Sequence, residues 1–227
     1  MNHIVRLVLL VGVAACAGGT KAPVGPPPAE AQTPNQPSNS KIKMPPPASL
    51  NLLGIAGQVV GVLPTTLVVA RDSLAGIPPF TDRASSTKWA DSVFGEGLLL
   101  RGPEVNWKLP AQMRTIARRA PGIAADPDFM GQAVLRDPGI QKVPDPLIAN
   151  MRTLMSLAGG RFMLIPASMS FQHDSAGAVE ARVNIAGVDT RLGDVVFRSY
   201  IVAYGTTPAE AMEAVMTVLL PGITLEP

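Results

Sequence analysis

Cys16 carries the only thiol of the 227-residue chain. One sulfur can be acylated, but it cannot close an internal disulfide or build a cysteine metal site. Downstream of it stands a single histidine, His173, beside Asp174. A Ser-His-Asp hydrolase would need a nucleophile elbow such as G-x-S-x-G, and the sequence has none. His173 falls at the end of a predicted strand just before Gly177, where a solvated turn residue is expected, and one histidine is a poor basis for zinc. Asp126 and Asp128 flank Pro127, with Asp137 further on. Paired carboxylates can bind metal or move protons, but Asp-Pro-Asp is first a turn and helix-start signal, and no EF-hand spacing accompanies it. Arg114, Arg118 and Arg119 fall on the polar side of an amphipathic helix, with Arg101 and Lys108 near in sequence. They could meet an anionic partner, a lipid head group or a glycan-bound phosphate. As a solvated face near the favourable end of the helix dipole, they need no partner. Asp189 and Arg191 stand in the turn stretch that Gly193 permits and are expected at its exposed ends, as candidate partner contacts. Phosphate loops and dinucleotide fingerprints are absent. No catalytic residue, metal or cofactor is expected, and the chain is not expected to be an enzyme.

The setting of Cys16 defines the first segment. Arg6 gives a positive start, Leu7 to Val13 a short apolar run, and Val13-Ala14-Ala15 small residues before the cysteine. Residues 1–15 fit a signal peptide, and the run is shorter than the ~20 residues that span a bilayer. Val13-Ala14-Ala15-Cys16 resembles the lipobox of bacterial lipoproteins. The resemblance implies diacylglycerol on the Cys16 thiol and an acylated amine after cleavage. A single acyl chain would hold only marginally, so the several implied chains matter together. Ala17, rather than Asp, follows the cysteine, which resembles the outer-membrane sorting pattern.

Residues 16–47 have another composition. About nine prolines fall in this stretch, including Pro26-Pro27-Pro28 and Pro45-Pro46-Pro47. Such a segment buries too little apolar surface to fold, and reads as a disordered tether with a reach on the order of 90 Å. Residues 48–227 then suffice for one domain. Lys and Arg number 19 against 17 Asp and Glu, a formal charge of +2, which gives no clustered basic argument for nucleic acid.

Within that domain Gln58–Ala70 reads as a strand bent or ended near Pro64, and Thr81–Leu100 as a helix capped by Asp82 or Ser85. Glu104–Lys108 reads as a short strand, and a second helix opens at Pro110. Residues 122–145 read as an irregular insertion holding a short helix over 127–135. Asp145-Pro146 reads as a cap and first-turn proline for a helix to Leu157. Arg161–Gln172, Ala178–Val188 and Val195–Tyr204 form a predicted antiparallel meander, and Thr207-Pro208 opens the last helix. Trp89 and Trp107 are expected in the core. The order predicts a single α/β domain, a mixed sheet with helices packed on it.

Val59-Val60-Gly61-Val62-Leu63-Pro64, Ala90-Asp91 to Leu98, and Val188 to Phe197 followed by Thr207-Pro208-Ala209-Glu210-Ala211 carry a wider resemblance. In this order they resemble the periplasmic domain shared by the TolB amino-terminal domain, the curli secretion lipoprotein and the activator lipoproteins of penicillin-binding proteins. The resemblance implies binding and assembly: a membrane-anchored module for an envelope or cell-wall-associated protein, for example in cell-wall synthase regulation. Two other functions stay open at this point, a structural subunit of an envelope secretion complex and an envelope hydrolase with an unrecognised site.

Overall fold

The computed structural model of the chain describes residues 44–221. The expected signal peptide at 1–15, Cys16 and most of the expected tether lie outside the described residues, as does the end beyond Pro221. Among the described residues six strands and four α-helices form one mixed α/β domain. The strands are β1 (Val59–Val62), β2 (Val68–Ala70), β3 (Asn106–Lys108), β4 (Phe162–His173), β5 (Val179–Asp189) and β6 (Asp194–Gly205). The helices are α1 (Arg83–Arg101), α2 (Pro110–Arg119), α3 (Leu147–Ala158) and α4 (Pro208–Leu219). The sheet runs β3-β1-β4-β5-β6, parallel from β3 to β4 and antiparallel from β4 to β6. The meander expected from the turn signals is therefore present.

The strand read over 58–70 ends near Pro64, and a second strand follows it. β1 pairs with Phe162–Leu164 and β2 with Met169–Phe171, both parallel to β4. Proline has no N–H to give a ladder, and Pro64 sits in the gap. Opposite that gap, β4 has a bulge against β5 between Pro166 and Ser168. An extra residue reverses the side-chain alternation. Up to the bulged Ala167, Met163, Ile165 and Ala167 face one cluster and Leu164 the other; after it Met169 and Phe171 have joined Leu164. β5 shows the plain alternation, Val179, Ala181, Val183 and Ile185 against Ala186 and Val188. Both faces of the sheet are therefore covered. Phe94 and Leu98 of α1 and Met212 and Met216 of α4 pack on one, Met113 of α2 and Met151 and Met155 of α3 on the other. β4 and β5 are thus central strands of a sheet packed on both faces.

Local signals place most helix ends. The Asp82 side chain accepts from Ser85 N at 2.9 Å, and that of Thr207 from Glu210 N at 3.2 Å. Pro110 stands in the first turn of α2, where Gln112 Oε1 accepts from Leu109 N at 2.9 Å. The start of α3 departs from expectation. Pro146, not Asp145, holds the cap position, no side chain caps it, and Ile148 N donates to Pro144 O instead. The segment 122–145 also differs. Its one helical piece is a 3-10 turn over Gln132–Arg136, and Met130, Leu135 and Val143 are buried against α2 and α3. Arg198 clamps it by donating to Leu135 O and Ile140 O at 2.8 and 2.7 Å. Trp107 is buried, with Nε1 donating to Gly102 O at 2.7 Å, and Trp89 packs edge-on against Phe80 and Phe171.

Gly205, the last residue of β6, shows how closely α4 is folded back. A Cβ there would stand 2.4 Å from Ala211 N and 2.7 Å from Glu210 C. Both are backbone atoms, so α4 itself must move. Gly205→Ala is expected to cost about 2 kcal/mol, an overpacking loss, read from urea denaturation followed by circular dichroism. A wild-type midpoint would show that the α4 entry yields freely.

Candidate functional site

The polar residues singled out in the sequence converge only in part, and their centre is Arg114 on α2. Its side chain is 29% exposed. Nε and Nη2 donate to the two carboxylate oxygens of Asp128, each at 2.8 Å, and Nη2 also to Asp91 Oδ2 at 2.8 Å. The second oxygen of Asp91 accepts from Thr65 N at 2.8 Å. One guanidinium thus ties α1, α2, the β1–β2 connection and the segment after α2. Burial pushes the Asp91 carboxyl above its ordinary value, outweighing the Thr65 N–H and Arg114, which pull it down. The hydrogen bonds it donates to Asp128, then to Asp91, hold the Arg114 guanidinium more firmly protonated than usual. Arg114 is therefore not part of a solvated face.

A recess flanks Arg114 on each side. Between α1 and α2 lies an open groove of about 640 Å³, with Lys88, Glu96, Leu99 and Leu109 in its walls. The other, about 180 Å³, brings Arg118 together with Asp126 and Asp128. Asp126 accepts from Asp128 N at 3.0 Å, the turn its Asp-Pro-Asp sequence suggested. With Asp128 committed to Arg114, neither recess holds a nucleophile and base in contact among the described residues. Arg118 and Arg119 are exposed; Arg119 lines a separate shallow recess with Lys108. Among the described residues no group of three or more His, Cys, Asp or Glu could hold a metal ion.

The second pair of candidates divides. Asp189 was expected at an exposed turn end, but is 2% exposed. Arg161, just ahead of β4, donates to both its carboxylate oxygens, and Asp189 Oδ1 accepts from Arg191 N at 3.0 Å and Leu192 N at 3.4 Å. Arg161 holds the Asp189 carboxyl below its ordinary value, with the turn N–H groups adding to the effect. Gly193 closes the turn with φ 79°, a conformation glycine adopts freely. Arg191 itself is exposed. His173 is half buried rather than free in solvent, its Nδ1 lying 3.1 Å from Ser73 Oγ, and Asp174 Oδ1 accepts from Ala176 N and Ala178 N. Asp91 and Arg161 were not singled out in the sequence, because each partner lies more than twenty residues away.

No protein-family model matches the chain, and no curated protein matches it. Several solved structures are similar in fold. The LpoB C-terminal domain from Salmonella enterica shares 12% identity at a TM-score of 0.37, over 66% of this chain and 85% of that one. The PelC dodecamer from Paraburkholderia phytofirmans shares 13% at 0.38, over 79% and 96%. The lipoprotein GNA1162 from Neisseria meningitidis shares 12% at 0.32, over 66% and 82%. At these scores the likenesses bear on no residue and no activity. Among the described residues no helix is long and apolar enough to cross a membrane.

Proposed function

We propose that the chain is a lipid-anchored protein of the bacterial envelope whose α/β domain binds another envelope protein and catalyses no reaction. The commitment of its polar groups supports this most. Arg114, Asp91 and Asp128 satisfy one another, and Asp189 is held by Arg161 and its own turn, so these groups fix a surface rather than await a substrate. Cys16 supplies the anchor and the proline-rich stretch the reach. The absence of Asp after Cys16 favours the outer membrane, and the sequence resemblance favours a cell-wall synthase as the partner. Arg118, Arg119 and Arg191, exposed and outside any ion pair found among the described residues, are the contacts assigned to that partner.

Labelling cells with an alkyne analogue of palmitate tests the anchor. Wild type should carry the label and sediment with outer membranes, and Cys16→Ser should lose the label and at least tenfold of its membrane fraction. Crosslinking of native envelopes with mass spectrometry tests the partner. Recovery of one envelope protein, reduced in an Arg118→Glu/Arg119→Glu variant, is expected. A variant at Cys16 that stays labelled, or envelopes that give no stable partner, would overturn the reading.

A further inference from the structure

Two guanidinium groups close on one residue of the connection between β1 and β2. Arg83, the first residue of α1, donates from Nη2 to the carbonyl of Thr66 at 3.4 Å. Arg136, in the segment after α2, donates from Nη2 to Thr66 Oγ1 at 3.1 Å and from Nε to Ala167 O at 3.0 Å. Arg136 is half buried and Arg83 exposed. Neither forms an ion pair found among the described residues, where the paired cations are Arg114, Lys142, Arg161 and Arg182. The acids next to them in sequence are engaged elsewhere. Asp82 caps α1 through Ser85 N, Ser85 Oγ and Thr81 Oγ1, and Asp137 accepts from Gly139 N. Burial, then the charge of Arg83, pushes the Arg136 guanidinium below its ordinary value. Facing cations with no acid between them are unfavourable in a partly desolvated place. A guanidinium carries five N–H donors in a fork, and only a few of those on this pair have a protein acceptor.

We propose that Arg83 and Arg136, with Thr66 between them, form a binding site for a phosphate monoester or inorganic phosphate. Charge selects the ligand. A carboxylate would neutralise one guanidinium, whereas a phosphate near −2 matches both, and its oxygens accept the forked donors pairwise. The site lies at the junction of α1, the β1–β2 connection and the segment after α2, apart from Arg118 and Arg119. It goes beyond the protein-binding reading and does not depend on it. The phosphate could belong to a lipid head group or be soluble, since the chemistry at the guanidiniums is the same.

The full chain in non-ionic detergent, at constant ionic strength, allows the test. Inorganic phosphate is titrated while the arginine Nε–H signals are followed by NMR. Saturable shifts confined to Arg83 and Arg136 are expected. Arg83→Gln, at an exposed position, should weaken binding at least tenfold and keep the fold. Arg136→Gln should do the same; should it fail to fold, Arg83→Gln still decides. Arg118→Gln is expected to bind as wild type. Shifts that do not saturate, an Arg83→Gln variant that binds as well as wild type, or an equal loss in Arg118→Gln would overturn the site. In a second arm the micelles are doped with short-chain phosphatidic acid or with phosphatidylcholine. Saturation by phosphatidic acid alone among the two lipids supports the site and identifies a head group as a source. Saturation by inorganic phosphate without a phosphatidic acid response supports it and identifies the ligand as soluble.

Discussion

Replacing Arg114 by Met should lower the unfolding free energy by on the order of 3–5 kcal/mol, the loss that follows when a buried charge is left without its partner. The stranded charge is Asp91, whose side chain is 9% exposed, whereas Asp128, at 36%, can return to water. Asp91 would keep only the Thr65 N–H. A double variant, Asp91→Asn with Arg114→Met, removes the charge as well and should recover part of the loss, a coupling that a double-mutant cycle in urea measures. The sign of the pH dependence follows from the direction of the shift. Folded Asp91 keeps its proton to a higher pH than the unfolded chain does, because burial disfavours the carboxylate. Folding takes up a proton in that window, so lowering the pH through it stabilises the native state. Without Arg114 the shift grows, and the variant gains this stabilisation at a higher pH than wild type. The difference between the two should therefore narrow from about pH 7 to about pH 5. A difference that stays constant would mean that Asp91 is not the group left exposed to the low dielectric.

The elements were legible where a local signal fixes them. Asp82 and Thr207 cap helices through their own side chains, and Gly177 and Gly193 turn the meander, all within four or five residues of what they organise. The site was not legible in this way. Arg114 meets Asp91 and Asp128 across 23 and 14 residues, from three parts of the chain, so an amphipathic reading of α2 alone leaves it facing solvent. The end of β1 was marked by Pro64, but that the chain then forms β2 was not, because its partner on β4 lies about a hundred residues later. The segment 122–145 looked irregular because its backbone is. Its buried residues, Met130, Leu135 and Val143, have no period that a sequence pattern could show, and they matter only once α2 and α3 are in place. Arg83 and Arg136 became a pair in the same way, through Thr66, far from both in sequence.

Asp189→Ala should be the second severe loss, on the order of 3 kcal/mol, because it removes a buried acceptor from several donors at once. Two of them, Arg191 N and Leu192 N, belong to the turn before β6 and cannot turn away without opening it. The same turn is held from outside by Thr190, whose Oγ1 donates to Arg161 O at 2.7 Å, and by Arg152 Nε, which donates to Thr190 O at 2.9 Å. Loss of Asp189 should therefore loosen the ends of β4, β5 and β6 together. Amide hydrogen exchange should rise at Thr190 and Gly193 before it rises in the middle of β5. Arg161→Met should cost less, since the Arg161 side chain is 45% exposed and Asp189 keeps its turn N–H groups. Acid acts here in the opposite sense to Asp91. Folded Asp189 gives up its proton at a lower pH than the ordinary aspartate value of 3.8, held down by Arg161 first and the turn N–H groups after it. Its stabilisation is complete above that value and is lost as pH falls through the folded pKa. The gap between wild type and Asp189→Ala should hold steady from neutrality to about pH 5 and then close under stronger acid. A gap that already closes near pH 5 would mean that the carboxylate is not held by Arg161 in solution. Asp189 and Asp91 thus answer acidification with opposite signs for one reason: the first carboxylate has donors enough to offset its burial, and the second does not.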